Sequence, residues 1–366
     1  MHKKQVAVID VGSSKITALI GERGINKTFV IKGRYSYEYD GFADGVFFDA
    51  EKLKQILFTI GEIVKKAGLD TVYVGVPGEF TQVMVRDSQI SFSKKKKIQS
   101  EDVDALFDSA FVLSSTKYTL INRSAVVYEL DDFRRLANPV GSTSEILKGK
   151  LSFIVCSNYF IESVKPALET AGIKCVECVS TSIAQALYLV EAETRDRIAV
   201  VADVGYISST LTIIQGDGIL FERSFGYGGG YITASITEKF SVDFDVAESL
   251  KRKTSLSRIT SSTYDLIDGE NGEYYAIEDL KNTIKSSLDV LCENISDALD
   301  ESGYDIPEYV PIMITGGGIS YIRGAKEHVA GRLGKAVEIV APKVPLMDKP
   351  VESAVLSLLE LALEQN

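Results

Sequence analysis

The chain has 366 residues, 45% of them apolar and 25% charged, with a formal net charge of -11 at neutral pH. That length exceeds one ordinary core and predicts roughly two to four domains, while the negative charge argues against a general nucleic-acid or anionic-membrane surface. No signal-peptide core or bilayer-length apolar stretch is legible, and four cysteines do not make a disulfide framework, so a cytoplasmic location is expected.

VAVIDVGSSKITALIG, residues 6–21, reads as a β-hairpin: apolar strand, Asp-Val-Gly, short polar turn, alternating strand. The segment at 50–68 has apolar residues at helical spacing, then a glycine stop, and TVYVGVP follows as a strand. Near residue 79 the character changes. Strands TQVMVRD and YTLINRSAVVYEL bracket a helix in SEDVDALFDSAFVL, and Lys94 to Lys97 reads as a solvated turn, with a docking patch as the sharper alternative. FIESVKPALETAGIKCVECVS restores the order helix, glycine, strand. Cys175 and Cys178 form a CxxC inside that strand, on opposite faces, so no metal site is expected there. STSIAQALYLVEAE follows as a second helix.

IAVVADVGYISSTLTIIQG, residues 198–216, echoes the first hairpin with one more residue in its turn. Next come a glycine turn containing Gly229 that leads into a helix, and a second helix, DVAESLKRK. Glu248, Lys251 and Arg252 share one face of it, placed either to grip a ribose and adenine or to form a solvent-facing ion pair. A long amphipathic helix ends at Gly303. MITGGGISYIRG reads as strand, Gly316-Gly317-Gly318, helix, where the glycines admit a flat ring or phosphate near the helix start, or make only a tight turn. SAVLSLLELALEQN closes as a helix.

A carboxylate at the end of a hairpin arm, with glycine two residues on, can face a metal while the N–H groups of the turn face a phosphate. One such turn is weak evidence. Two in matching positions predict groups converging across a cleft, as triphosphate chemistry requires. In all, strands alternating with helices in two similar halves predict an α/β architecture.

Two phosphate-type hairpins followed by a triple-glycine turn resemble the actin, sugar-kinase and heat-shock chaperone ATPase superfamily. Within it the chain resembles the bacterial FtsA cell-division family, through IDVGSSKITALIGE, the Asn-Pro-Val-Gly block at 138–141, RSFGYGGGYITASIT, DVAESLKRK and ITGGGISYIRG. The resemblance implies an actin-like ATPase fold with an inserted subdomain 1C. It divides the chain into subdomain 1A at 1–78 and 150–197, 1C at 79–149, 2A at 198–232 and 308–366, and 2B at 233–307. It implies ATP and Mg²⁺ as cofactors. Asp10, Gly12, Ser13, Ser14 and Lys15 would serve from one side and Asp203, Gly205 and Ser208 from the other. Gly229, Glu248, Lys251, Gly316, Gly317 and Gly318 would surround the adenosine, and Asp10 and Asp203 would hold the metal through water. The implied partners are the FtsZ carboxyl-terminal tail, other copies of the chain in filaments, and other division proteins through 1C. Nucleic acid is not among them, and recruitment to the division-site membrane would need no membrane-spanning helix.

Three departures stand out. Tyr206 and Ile207 replace glycines of the second turn and Thr210 replaces a carboxylate, which crowds a γ-phosphate and leaves hydrolysis unsupported. The sequence stops at Asn366 without the basic amphipathic helix of the family, so direct membrane attachment is not expected. Lys281 and Lys285 stand where the family carries Glu-Pro-Arg, and could meet an acidic tail. A nucleotide-independent scaffold of division or pilus assembly is the rival reading, and a small-molecule kinase of the same superfamily a weaker one.

Overall fold

The computed structural model describes residues 5–24, 28–257, 265–269 and 272–365. Strands β1 (Gln5–Val11) and β2 (Lys15–Arg23) form the first hairpin, and β3 (Phe29–Glu38) pairs antiparallel with β2. A small ribbon, β4 (Phe42–Ala43) with β5 (Val46–Phe47), leads into helix α1 (Ala50–Lys66). Asp49 caps α1 by accepting the Lys52 N–H at 2.8 Å, and Leu53, Leu57, Ile60 and Val64 form its buried stripe. Strand β6 (Thr71–Val76) then lies parallel to β1.

The insertion follows: β7 (Thr81–Lys97), α2 (Ser100–Ala110), β8 (Tyr118–Leu130), β9 (Arg135–Leu136) and β10 (Thr143–Ser157). Its sheet has the order β7-β10-β8-β9, and α2 packs Leu106 and Phe107 against Phe153 and Leu151. Lys94 to Lys97 are not a turn. They end β7, continuing the alternation of Ile90 and Phe92, because Lys96 lies over the Phe92 ring at 4.9 Å and bonds Asp102 at 2.8 Å. Strand β10 runs through residue 149 without a break, and its far end carries Cys156 into the first-lobe core.

Helix α3 (Asn158–Thr170), β11 (Cys175–Ser180), α4 (Thr181–Leu189) and α5 (Ala192–Arg195) return the chain to the first lobe. Its sheet has the order β11-β6-β1-β2-β3. The second lobe contains β12 (Ala199–Val204), β13 (Ser209–Gln215), β14 (Gly218–Phe225), α6 (Gly229–Phe240) and α7 (Phe244–Lys253). It continues with β15 (Leu266–Asp268), β16 (Tyr274–Ala276), α8 (Ile277–Ser302), β17 (Ile312–Thr315), α9 (Ala325–Leu333), β18 (Val337–Ile339) and α10 (Ser353–Glu364). Its main sheet has the order β14-β13-β12-β17-β18.

The two main sheets share one topology. In each, three antiparallel strands precede two parallel additions, so the repeat read in the sequence is a repeat of fold. The expected α/β architecture of two similar lobes is borne out. Three expectations are corrected. Helix α9 begins at Ala325, because Ile319 and Ile322 are buried in turns rather than on a helical face. The closing helix α10, expected with the second lobe, covers the first-lobe sheet through Val355, Leu356 and Leu359 against Val6, Val8 and Leu19. Lys281 is buried, 5% exposed and paired with Glu278 at 3.5 Å, and is not presented to an approaching acidic peptide. Among the described residues no helix is long and apolar enough to cross a membrane.

Candidate functional site

The two hairpin turns face each other across a cavity of about 330 Å³, within the range of small-molecule sites. The extra residue expected in the second turn is corrected, since Val11 pairs with Ile16 and Val204 with Ser209 at the same spacing, and both turns close with the same bond. Gly12 N–H donates to the Lys15 carbonyl and Gly205 N–H to the Ser208 carbonyl, each at 3.0 Å. A Cβ at either glycine would come within 2.8 and 2.5 Å of the accepting carbonyl, so glycine is required for the turn to close.

Asp10 and Asp203 are the next-to-last residues of β1 and β12, and both line the cavity. Burial, then the Asp203 charge, push the Asp10 carboxyl up to about 7, with Lys15 opposing. Burial raises Asp203 as well, against a hydrogen bond from Gln185 Nε2 to its Oδ2 at 2.8 Å. Two half-buried carboxyls, with the charge of Asp203 raising the proton affinity of Asp10, suit a divalent cation, which would relieve the same repulsion. Among the described residues no group of three His, Cys, Asp or Glu is placed to hold a metal, so water and phosphate oxygens would complete any shell. Ser13, Ser14 and Lys15 line the cavity beside this pair and complete a donor set that fits a magnesium-bridged phosphate.

The rest of the expected set divides. Gly205, Ser208, Gly316 and Gly317 line the cavity, whereas Gly229, Gly318, Glu248 and Lys251 do not. Gly318 donates its N–H to the Val204 carbonyl at 2.8 Å, and Gly229 donates to the Gly205 carbonyl at 2.9 Å. A Cβ on Gly229 would stand 2.4 Å from the Gly318 carbonyl oxygen. These glycines let three backbone segments interlock. Gly229 and Gly230 sit at the start of α6, and both N–H groups donate to carbonyls of the second turn.

Lys251 is fully buried rather than solvent-facing. Its Nζ donates to the Gly229 carbonyl at 2.8 Å and to Thr233 Oγ1 at 2.6 Å, and it pairs with Glu248 Oε2 at 2.7 Å. Burial pushes the ammonium below its ordinary range while Glu248 pulls it back. Burial would raise Glu248, but hydrogen bonds from Lys251 and Thr233 outweigh it and hold the carboxyl low. Arg252, on the same helix, does reach the cavity, and its guanidinium lies 4.7 Å over the Tyr321 ring.

Tyr206 and Ile207 have different fates. Tyr206 lines the cavity, with its ring 5.7 Å from the Lys251 ammonium and edge-on to Phe244. Ile207 crosses toward the first lobe, where its N–H donates to Ser13 Oγ at 3.2 Å. Thr210 engages Ser224 at 2.8 Å on the neighbouring strand.

Sequence reasoning passed over Gln185, Thr181 and Ser182, which line the cavity from the start of α4. The signal was present. Ser180 caps that helix by accepting the Ile183 N–H at 3.3 Å, and a Ser-Thr-Ser run ahead of apolar residues marks a helix start that can face a ligand. Phe42, Pro77, Pro350 and Val351 supply apolar wall, which only the folded chain assembles.

Residues 150–266 match the family described as "Type IV pilus assembly protein PilM". The chain is 24% identical to cell division protein FtsA of Streptococcus pneumoniae, over 97% of this chain and 79% of that protein. It is 21% identical to Escherichia coli FtsA over 68% of this chain and 60% of the relative, so the chain spans less than two thirds of that protein. Among solved structures, the PilM-PilN type IV pilus biogenesis complex superposes with a TM-score of 0.66 at 17% identity, covering 99% of both chains. MreB5 of Spiroplasma citri bound to ADP gives 0.56 at 13% identity, covering 99% of this chain and 97% of that one.

Proposed function

We propose that this chain, FtsA-like in sequence and actin-like in fold, is a nucleotide-responsive assembly protein of bacterial cell division. The observation that carries the reading is the convergence of Asp10, Asp203 and the Ser13-Ser14-Lys15 turn on one cavity between two lobes of equal topology. When bound there, a nucleotide with Mg²⁺ would supply phosphate charge between the two turns. Lys15 and the Ser14 hydroxyl would orient the phosphates, and Asp10 and Asp203 would hold the cation. Arg252, over the Tyr321 ring and bonded to Glu248, would stack on a base. Glu248 and Lys251 support that wall from behind rather than touching a ribose.

Self-assembly would use the insertion and the opposite end of the molecule, unlike faces that build open filaments. The FtsZ tail is the proposed partner on family likeness, through a surface other than the buried Lys281. A nucleotide-independent scaffold of pilus assembly is the second reading, favoured by the PilM match and by the lobe contact through Ile207.

Thermal melting with millimolar magnesium nucleotide, paired with sedimentation and capture of an FtsZ tail peptide, tests the proposal. A ligand of the native state must raise the melting temperature. A nucleotide-dependent shift with peptide capture supports the division reading. No shift with any nucleotide, and no capture, would leave the scaffold.

A further inference from the structure

We propose that the cleft selects a nucleoside diphosphate over the triphosphate, because Ile207 closes the gap between the two turns where a terminal phosphate would lie. This rests on the reading of the cleft as a nucleotide site. The tips of the turns touch directly: Ile207 N–H donates to Ser13 Oγ at 3.2 Å, the distance of one hydrogen bond. A phosphoryl group held by both turns needs a hydrogen bond on each side. That arrangement sets the flanking heavy atoms about 5 Å apart or more.

The contact is built rather than incidental. Gly41, at φ +91°, brings the chain beside both tips. A Cβ there would stand 2.2 Å from the Ser13 carbonyl oxygen and 2.8 Å from Ile207 Cδ1. The isoleucine side chain therefore fills a space that only glycine leaves open. Behind it the second turn cannot easily withdraw, since its Gly205 and Tyr206 carbonyls hold the N–H groups of Gly229 and Gly230 at 2.9 and 2.7 Å. A triphosphate must break the Ser13 bond and lift Ile207 from Gly41. A diphosphate need not. Ser14, Lys15, Asp10 and Asp203 remain available to the shorter chain. On β13, Thr210 lines the cavity but shares its hydroxyl with Ser224 and brings no positive charge to replace the lost contact.

Titration calorimetry of the full chain with Mg-ADP and with a non-hydrolysable Mg-ATP analogue tests this. The diphosphate is expected to bind about tenfold tighter or more, or about 1.4 kcal/mol. Ile207→Gly should narrow that ratio to within about threefold, and Ile207→Ala should narrow it less. The wild-type comparison stands even where a variant fails to fold. An analogue that binds the wild-type chain as tightly as ADP overturns the proposal and leaves the nucleotide reading intact. An unchanged ratio in a folded Ile207→Gly overturns it too. Failure of both ligands to bind removes the nucleotide reading, and this proposal with it.

Discussion

The first turn, Gly12 to Lys15, and the second, Gly205 to Ser208, close with the same glycine-to-carbonyl bond, yet their surroundings differ. Around the first, Ser14 and Lys15 face the cavity. Around the second, two carbonyls are bonded to the start of α6, a third, Val204, accepts from Gly318, and the Ile207 N–H reaches the other lobe. One copy of a duplicated element keeps its polar groups available for a ligand. The other holds the second lobe together and closes on its counterpart. Duplication thus fixes the frame, while the few residues at each bend decide what the frame does.

The largest expected effect concerns the carboxylates common to both hairpins. Asp10 holds a proton in the folded chain up to about pH 7, whereas the unfolded chain releases it near the ordinary carboxylate range. Unfolding therefore releases a proton between those values. Stability should fall as pH rises from about 4 to about 7 and then level, by something on the order of 4 kcal/mol. Asp10→Asn should reduce this dependence in denaturant titrations at stepped pH, leaving the part due to Asp203 and Glu222, which burial also raises. Magnesium competes with that proton, so its stabilising effect should grow over the same interval. A flat wild-type profile would mean the two hairpins do not share a desolvated pair.

Lys251→Ala probes the structural copy. It leaves Glu248 and Thr233 without their buried cation and should cost about 3 kcal/mol in denaturant unfolding. Lys15→Ala, in the ligand-facing copy, should cost less than about 1 kcal/mol and instead weaken phosphate binding. Equal costs would erase the contrast between the turns.

Gly229→Ala comes next. Its Cβ would enter the Gly318 backbone, an overpacking cost of about 2 kcal/mol. Gly226→Ala, with open space around it, should change stability by no more than about 0.5 kcal/mol and serves as the control.

How far the sequence carried this picture follows from the range of the interactions involved. VAVIDVGSSKITALIG and its echo were readable because a hairpin is local: alternation, a glycine and a turn lie within some twenty residues. The convergence of Asp10 and Asp203 followed once both were seen. Lys94 to Lys97 were not readable as strand, since their strand register rests on the Phe92 ring and on Asp102 across a turn. Spacing alone could put Glu248 and Lys251 on one face but could not tell inside from outside. That was decided by Gly229 and Thr233, about twenty residues upstream. The isoleucines of GGGISYIRG carried helical spacing, yet their burial comes from turns against the second-lobe core. Of the two residues expected to crowd the cleft, Tyr206 lines the cavity with its ring beside Lys251, whereas Ile207 makes the contact with Ser13 at the tip.

The smallest expected effect decides how the turns hold each other. Ser13→Ala removes one neutral hydrogen bond between the lobes and should cost about 1 kcal/mol. Its signature is local: the Ile207 amide loses its acceptor, so native-state hydrogen exchange there should quicken about fivefold. The amides of Gly12 and Gly205 keep their intraturn acceptors and provide internal references in the same measurement. Acceleration at Ile207 alone means the tips grip each other independently of the turns behind them. Acceleration at Gly205 as well means the second turn is braced from the first lobe rather than by the glycines of its own. An unchanged Ile207 amide would show that the glycine segments already hold that turn in place, and the difference between the two copies would then lie wholly within the second lobe.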